Sequence, residues 1–287
     1  MFSRQKTNID QEHKVYLVGT PIGNVKDITY RAIEVLASSD IIYCEDTRIT
    51  GLLLTHYNIK TKLKSYHLYN ENELTSNIID DVKKGQVVSI VSDAGMPGIS
   101  DPGYLAVKDA IKEGVAVEII PGPSASITAL VGSGIEPFKF TFIGFLNSNQ
   151  SKREKELEAL KFSELPLIVY EAPHRIESTL MLIDKVMPTR HIVLARELTK
   201  KYEEYLRGTA SEILEYKDEI KGEMVLIISS ATKEETNQDV LSLTIKEHYN
   251  YYVDLGYDSK DAMKQVAKDR GVSKSEIYQE IKGKNKD

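Results

Sequence analysis

Three short polar segments hold the residue types that do chemistry, each at or just after an apolar run. They are Glu45-Asp46-Thr47-Arg48, Tyr170-Glu171-Ala172-Pro173-His174-Arg175 and Ala195-Arg196-Glu197-Leu198-Thr199-Lys200. Each sets carboxylates beside cations. A carboxylate at the end of a buried strand can take a proton, and an arginine fork can clamp a phosphate. Together they suit a polar or phosphate-bearing substrate. Ion pairing between surface loops accounts for each segment taken singly just as well, and Glu45 and Asp46 also read as acids complementing a helix N-terminus. The six histidines never fall as H-E-x-x-H or H-x-x-x-H, and a single cysteine leaves no paired cysteines for zinc. The G-x-x-x-x-G-K-S/T phosphate loop, a strand-borne G-x-G-x-x-G and the G-x-S-x-G elbow are also missing from the sequence. No metal is expected.

Shaped backbone lies between these segments. The β-branched run Val87 to Ile90 reads as a buried strand, and it leads into VSDAGMPGISDPG, Val91 to Gly103. From Asp93 to Gly103, eleven residues hold two aspartates, three glycines and two prolines. Glycine allows positive φ and close approach of a ligand, and proline fixes φ, so this loop is held in one shape. Two more tight loops follow strands: Gly19 to Asn24 after Val15 to Val18, and Pro121 to Ala125 after Val115 to Ile120. In an open α/β sheet ligands bind beyond the carboxyl ends of strands, so the three loops are expected to share one crevice.

The elements that must carry them alternate. Asp27 reads as the N-cap of a helix bearing Ile28, Ala32, Ile33 and Leu36. A strand at Ile41 to Cys44 and a helix from Ile49 to about Tyr57 follow, then a short strand at Lys64 to His67. Leu74, Ile78, Ile79 and Val82 share one helix face that ends at Gly85, and another helix runs from Gly103 to Glu113. This is an N-terminal α/β domain over 14–132. Gly132 to Leu146 reads as a hinge into a second α/β domain, 133–230, whose mixed strands and helices need not make a parallel sheet.

Beyond a polar linker at 231–243, residues 244–287 form a helical extension. A helix at Ser259 to Arg270, a turn at Gly271 and a capping box at Ser273 and Glu276 outline a helix-turn-helix. From 255 to 287 there are eight Lys/Arg against six Asp/Glu, in a chain of formal charge −6. The extension reads equally as a nucleic-acid reader or as a hairpin docked on the body. Residues 1–13 lack the apolar core of a secretory signal and read as a flexible N-terminus.

The 287 residues are 41% hydrophobic and 28% charged, ordinary for a soluble protein, with no apolar run long enough for a bilayer. The acidic balance argues against coating nucleic acid by charge alone, though not against a local basic cleft. The lone cysteine, Cys44, excludes an intramolecular disulfide and fits a reducing cytoplasm.

Taken in order, GTPIGNVKDIT, CEDTR, SDAGMPGISDPGY, PGPSA, GFL, YEAPHR, RELTK and GEMVLII closely resemble the tetrapyrrole methylase superfamily, the class III S-adenosylmethionine-dependent methyltransferases. The resemblance covers about residues 14 to 230. The first loop departs from the usual glycine-proline-glycine-aspartate form, with Thr20-Pro21-Ile22-Gly23-Asn24 instead, and this form resembles the RNA-directed branch. The resemblance implies two α/β domains with S-adenosylmethionine in the cleft between them, a homodimer, and methyl transfer to the ribose 2′-hydroxyl of a cytidine in the decoding region of 16S rRNA in the 30S ribosomal subunit. It places the cofactor on Pro21, Ser92, Asp93, Gly95, Ile99, Ala125, Phe142 and Ala172. Glu45, Glu171, Glu197 and Lys200 become candidate proton acceptors or electrostatic helpers, and Arg48, Arg175 and Arg196 candidate phosphate clamps. Asp93 is expected to organise the cofactor and Asp101 to cap the helix that follows. A methylase of a corrinoid precursor ring on the same fold and a non-catalytic ribosome-binding module are the competing readings.

Overall fold

The structure, a computed structural model, describes residues 14–232, 235, 241 and 243–282. The expected flexible N-terminus at 1–13 and most of the 231–243 linker lie outside these residues. One compact unit runs to Leu157 and includes Pro166–Ser229; a second holds Glu158–Leu165 and the chain from Ser230 onward.

The first unit begins with a parallel sheet of β1 (Lys14–Val18), β2 (Ile41–Cys44), β3 (Lys62–Ser65), β4 (Val88–Val91) and β5 (Ala116–Ile120), in the order β3-β2-β4-β1-β5. β2 and β4 are buried at every position, which is why both read as unbroken apolar runs. Helices α1 (Tyr30–Ser38), α2 (Thr47–His56), α3 (Glu71–Lys83) and α4 (Tyr104–Lys112) cover its faces. On one face Val15, Tyr43 and Ile90 pack with Ile78, Val82 and Ala106; on the other Val18, Ile42 and Val91 pack with Ala32, Leu36 and Leu54. Cys44 is fully buried, and burial pushes its thiol up to about 11.

Two helix starts differ from the sequence reading. α1 is capped by Thr29, whose hydroxyl accepts from Ala32 N at 3.1 Å, while Asn24 caps a single 3-10 turn that contains Asp27. A β-region residue with a short oxygen side chain is what the cap needs, and Thr29 meets that three residues before the first buried position. α4 is not capped by Asp101. Its free N–H groups at Gly103 and Leu105 donate to Glu71 Oε1, at 2.8 and 3.3 Å, across from α3. Sequence distance hid this cap, since 32 residues separate Glu71 from Gly103. Tyr66 also donates to Glu71 Oε1, at 3.2 Å.

The second sheet holds β6 (Thr141–Phe145), β7 (Leu167–Glu171), β8 (Ile192–Arg196), β9 (Glu204–Gly208) and β10 (Met224–Ile228), ordered β6-β7-β10-β8-β9. β6 and β7 run parallel and the other pairs antiparallel. α5 (Ala125–Ser133) buries Ala129 and Leu130 against Ile168, Val193 and Val225 of this sheet. The chain therefore changes sheets before α5, ahead of the hinge read at Gly132. α6 (Gln150–Leu160), α7 (Ile176–Val186) and α8 (Ala210–Leu214) complete the α/β order. β9 carries no strong apolar signal, because it is an edge strand with no buried residue.

The second unit contains α9 (Ile245–Asp254), α10 (Ser259–Arg270) and α11 (Lys274–Lys282). Gly271 turns α10 into α11 at φ 64°, and Ser273 and Glu276 cap each other as their spacing predicts. α9 is an addition to the sequence reading, begun by a capping box of Thr244 and Glu247. Met263, Val266, Ala267 and Ile277 form the core, with Ile245, Tyr249 and Tyr252 of α9 against it. Inside it His248 is fully buried; its Nδ1 accepts from Arg270 Nε at 3.0 Å and its Nε2 faces Asp269 at 3.2 Å. Among the described residues no helix is long and apolar enough to cross a membrane.

Glu71 joins α3, α4 and β3's exit through one buried carboxyl. Glu71→Ala is predicted to lower stability by about 2–3 kcal/mol, since it leaves buried donors without an acceptor, and Glu71→Gln by less. Urea midpoints at constant m-value measure both.

Candidate functional site

β4, β1 and β5 are neighbours in the first sheet, so the loops that leave them lie side by side. Thr20 and Gly95 form an antiparallel bridge between the first two loops, with Thr20 N donating to Gly95 O at 2.9 Å and Gly95 N to Thr20 O at 3.2 Å. Gly19 N donates to Ile120 O at 3.0 Å. A Cβ on Gly122 would stand 2.8 Å from Gly19 Cα, so neither residue admits a side chain. Gly95 sits at φ 80° and turns the long loop back over the first.

The second sheet closes the crevice. After β8, Glu197 and Thr199 both hold left-handed φ, 51° and 66°, and neither is glycine. The turn places Thr199 Oγ1 to accept from Asn24 N at 2.9 Å, and Leu198 O against the bare Cα of Gly23. The first loop and the third polar segment are thereby clasped. Leu198 points inward, joined by the end of β7 and, because β10 runs antiparallel, by its start.

Between them is a cavity of about 330 Å³, within the range for small-molecule sites. Ile22, Met96, Ile99, Phe145, Tyr170 and Leu198 make it largely apolar; Ser100, Asp101, Ser124, Ser126 and Glu223 supply polar groups. Of the eight expected cofactor positions, Gly95, Ile99, Ala125 and Ala172 line it. The other four stand behind its wall. Pro21 precedes the lining residue Ile22; Ser92 is buried, with its hydroxyl turned to Ala94 O at 3.3 Å; Asp93 accepts from Asp46 N at 3.0 Å; and Phe142 packs edge-on to Tyr170 at 5.1 Å. Tyr170 and Leu198 belong to two of the polar segments, where the charges of their neighbours are the stronger sequence signal. Asp101 and Ser100 were within the long loop, and only the fold shows that they face inward.

The acids at the sheet's carboxyl edge press on one another. Burial pushes Asp101 up to about 7, and the nearby Glu45 and Asp93 push it in the same direction. Glu45 and Asp93 are themselves raised, first by burial and then, for Glu45, by Asp93 and, for Asp93, by Asp46. Asp46 goes the other way, to about 2, because Arg48 bonds its carboxylate. Among the described residues no group of three or more His, Cys, Asp or Glu is arranged to hold a metal ion.

The candidate catalytic residues separate by what already holds them. Glu171 lines the cavity but its side chain is buried: Thr179 Oγ1 donates to it, Ala172 N bonds it at 2.9 Å, and Arg175 Nε lies at 3.1 Å. Arg175 spends its remaining reach on Leu146 O and Asn147 O. Arg196 is held by Glu204 and Lys221 O at the β8–β9 edge. Lys200 bridges Glu197 at 3.1 Å and Glu223 at 2.9 Å, and Glu223 reaches the cavity. Arg48 pairs with Asp46 yet remains 87% exposed.

Residues 14–214 match the tetrapyrrole (corrin/porphyrin) methylases. The chain is 47% identical over 273 residues to the ribosomal RNA small subunit methyltransferase I of Halalkalibacterium halodurans, covering 94% of each chain. It is 46% identical to the protein of the same name from Bacillus subtilis, covering 92% of each. Among solved structures, diphthine synthase superposes with a TM-score of 0.63 at 17% identity, over 76% of this chain and 90% of that one. Uroporphyrin-III C-methyl transferase from Thermus thermophilus, complexed with S-adenyl homocysteine, gives 0.54 at 18% identity, over 75% and 97%.

Gly122→Ala is predicted to force the first and third loops apart at their contact, costing about 1–3 kcal/mol of stability and weakening any ligand of the cavity. Thermal unfolding with and without ligand reads both, and an unchanged melting temperature would contradict the close-approach argument.

Proposed function

The chain belongs to the tetrapyrrole (corrin/porphyrin) methylase family, and from that premise we propose that it methylates the ribose 2′-hydroxyl of a cytidine in the decoding region of 16S rRNA, using S-adenosylmethionine. Its likeness along nearly the whole chain to small-subunit rRNA methyltransferases carries this reading. A methylase of a corrinoid precursor is the reading the family name alone would leave open, and the extra helical unit beyond the family match at 214 favours an RNA particle over a small ring.

The cavity fits the cofactor. Ile22, Ile99 and Tyr170 offer apolar surface for a base and ribose. Asp101 offers a carboxyl to positive charge, and α5 begins at the wall with Ser124, whose side chain caps none of its N–H groups. When bound, the cofactor supplies the reactive methyl group. The protein's own part is positioning: Gly95, Ala125 and Ala172 let backbone approach closely, and the clasped loops exclude water. Lys200, a cation steadied by Glu197 and Glu223 at the rim, is our candidate for holding the hydroxyl oxygen electrostatically as its proton leaves, and Glu45 is our candidate for taking that proton. Arg48, paired with Asp46 but largely exposed, is our candidate for binding a phosphate. Glu171, Arg175 and Arg196 act as the frame.

Two copies are expected to pair, as Val131 (70% exposed), Phe138 (85%) and Phe140 leave apolar surface uncovered on and after α5. Light scattering on purified protein should give a two-chain mass; one chain at micromolar concentration would count against pairing. The protein is expected to act in the cytoplasm, where 30S subunits are.

Incubation with methyl-labelled S-adenosylmethionine and 30S subunits should label a ribose of 16S rRNA. Label on the base alone, or on a corrinoid precursor and not on the subunit, would overturn the proposal. A chain ending at 243 is predicted to lose label on 30S by about tenfold while keeping its cofactor affinity, because the helical unit serves subunit docking.

A further inference from the structure

One carboxyl of the cavity makes no ion pair among the described residues and is held only by a hydrogen bond from the Ser92 hydroxyl. Glu171 is tied to Thr179 and Arg175, and Glu223 is paired with Lys200. Asp101, by contrast, lines the cavity, makes no ion pair, and is relieved of capping α4 because Glu71 does that work. Every charged neighbour that acts on it is acidic: Glu45 from the end of β2 and Asp93 from the end of β4. Of the basic side chains nearby, Arg48 is bound to Asp46, which itself donates its N–H to Asp93, and His67 after β3 lies towards Glu45. The wall is therefore short of positive charge.

We propose that Asp101 is the charge-selective group of the cavity, a neutral acid when the cavity is empty and a carboxylate when a sulfonium lies against it. This rests on the cofactor reading above. Ligands that differ only in that positive charge would be told apart here, so the cationic methyl donor is favoured over the uncharged thioether left after transfer. The physical basis is the usual one: burial and two neighbouring carboxylates disfavour ionisation, and an adjacent cation reverses the balance. With Asp101 near 7 in the empty cavity, cation uptake at pH 7 would release about half a proton per site, and donor affinity would rise about tenfold from pH 6 to pH 8. The direction follows from the release, since removing protons from solution favours the ionised, ligand-bound form.

Titration calorimetry on the ligand-free full chain, in buffers of different ionisation heat, tests this with S-adenosylmethionine and S-adenosylhomocysteine. The expected result is proton release with the first and little with the second, a tenfold pH dependence for the first only, and loss of both differences in Asp101→Asn. Equal release by the two ligands, or release that persists in Asp101→Asn, would overturn the inference while leaving the cofactor reading intact. Failure of either ligand to bind in any buffer would overturn the cofactor reading itself, and this inference with it. The wild-type comparison of the two ligands stands even if the variant folds poorly.

Discussion

Gly19 and Gly122 meet backbone to backbone, and the crevice depends on that contact. Adjacent parallel strands put their exit loops within reach, but only bare Cα atoms let the first and third loops touch. The Thr20–Gly95 bridge then adds the second loop. Three loops that would otherwise be separate surface turns become one continuous wall. The wall is built of backbone, which explains why the site contains few charged side chains and why the usual motifs for metal, dinucleotide or nucleophile are not in the sequence.

The opposite wall is held by a different device. Glu197 and Thr199 accept left-handed backbone that a non-glycine residue disfavours, and they gain the Thr199–Asn24 bond and the seat of Leu198 on Gly23. Ser100, also left-handed at φ 64°, turns the long loop inward on the other side. Backbone strain thus gathers at the two edges of the cavity. Such positions persist where surrounding contacts over-determine them, and here those contacts join the two sheets around the ligand space.

Much of the fold was legible because the first sheet's buried strands are short, apolar and bounded by glycine and proline. β2, β4 and the three loops could be read from composition alone. Edge strand β9, with no buried residue, could not, and neither could the cap that Glu71 provides from another helix. The polar segments were visible, but which of their charges faces inward depends on packing. Glu171 reads as a candidate proton acceptor in one dimension, and in three its side chain is buried and bonded to Thr179, Ala172 and Arg175. Asp101 reads as a helix cap and instead faces the cavity. Burial and pairing decide these roles, and both are properties of the folded chain.

The proposed seat of the methyl donor is the cavity bounded by Gly95, Ala125, Tyr170, Ala172 and Leu198. A crystal structure of the protein with S-adenosylhomocysteine tests this most directly. The expected result is the ligand in that cavity, with Asp101 on its wall and the Thr199–Asn24 clasp intact. Ligand bound elsewhere on the chain, with this cavity empty, would contradict it.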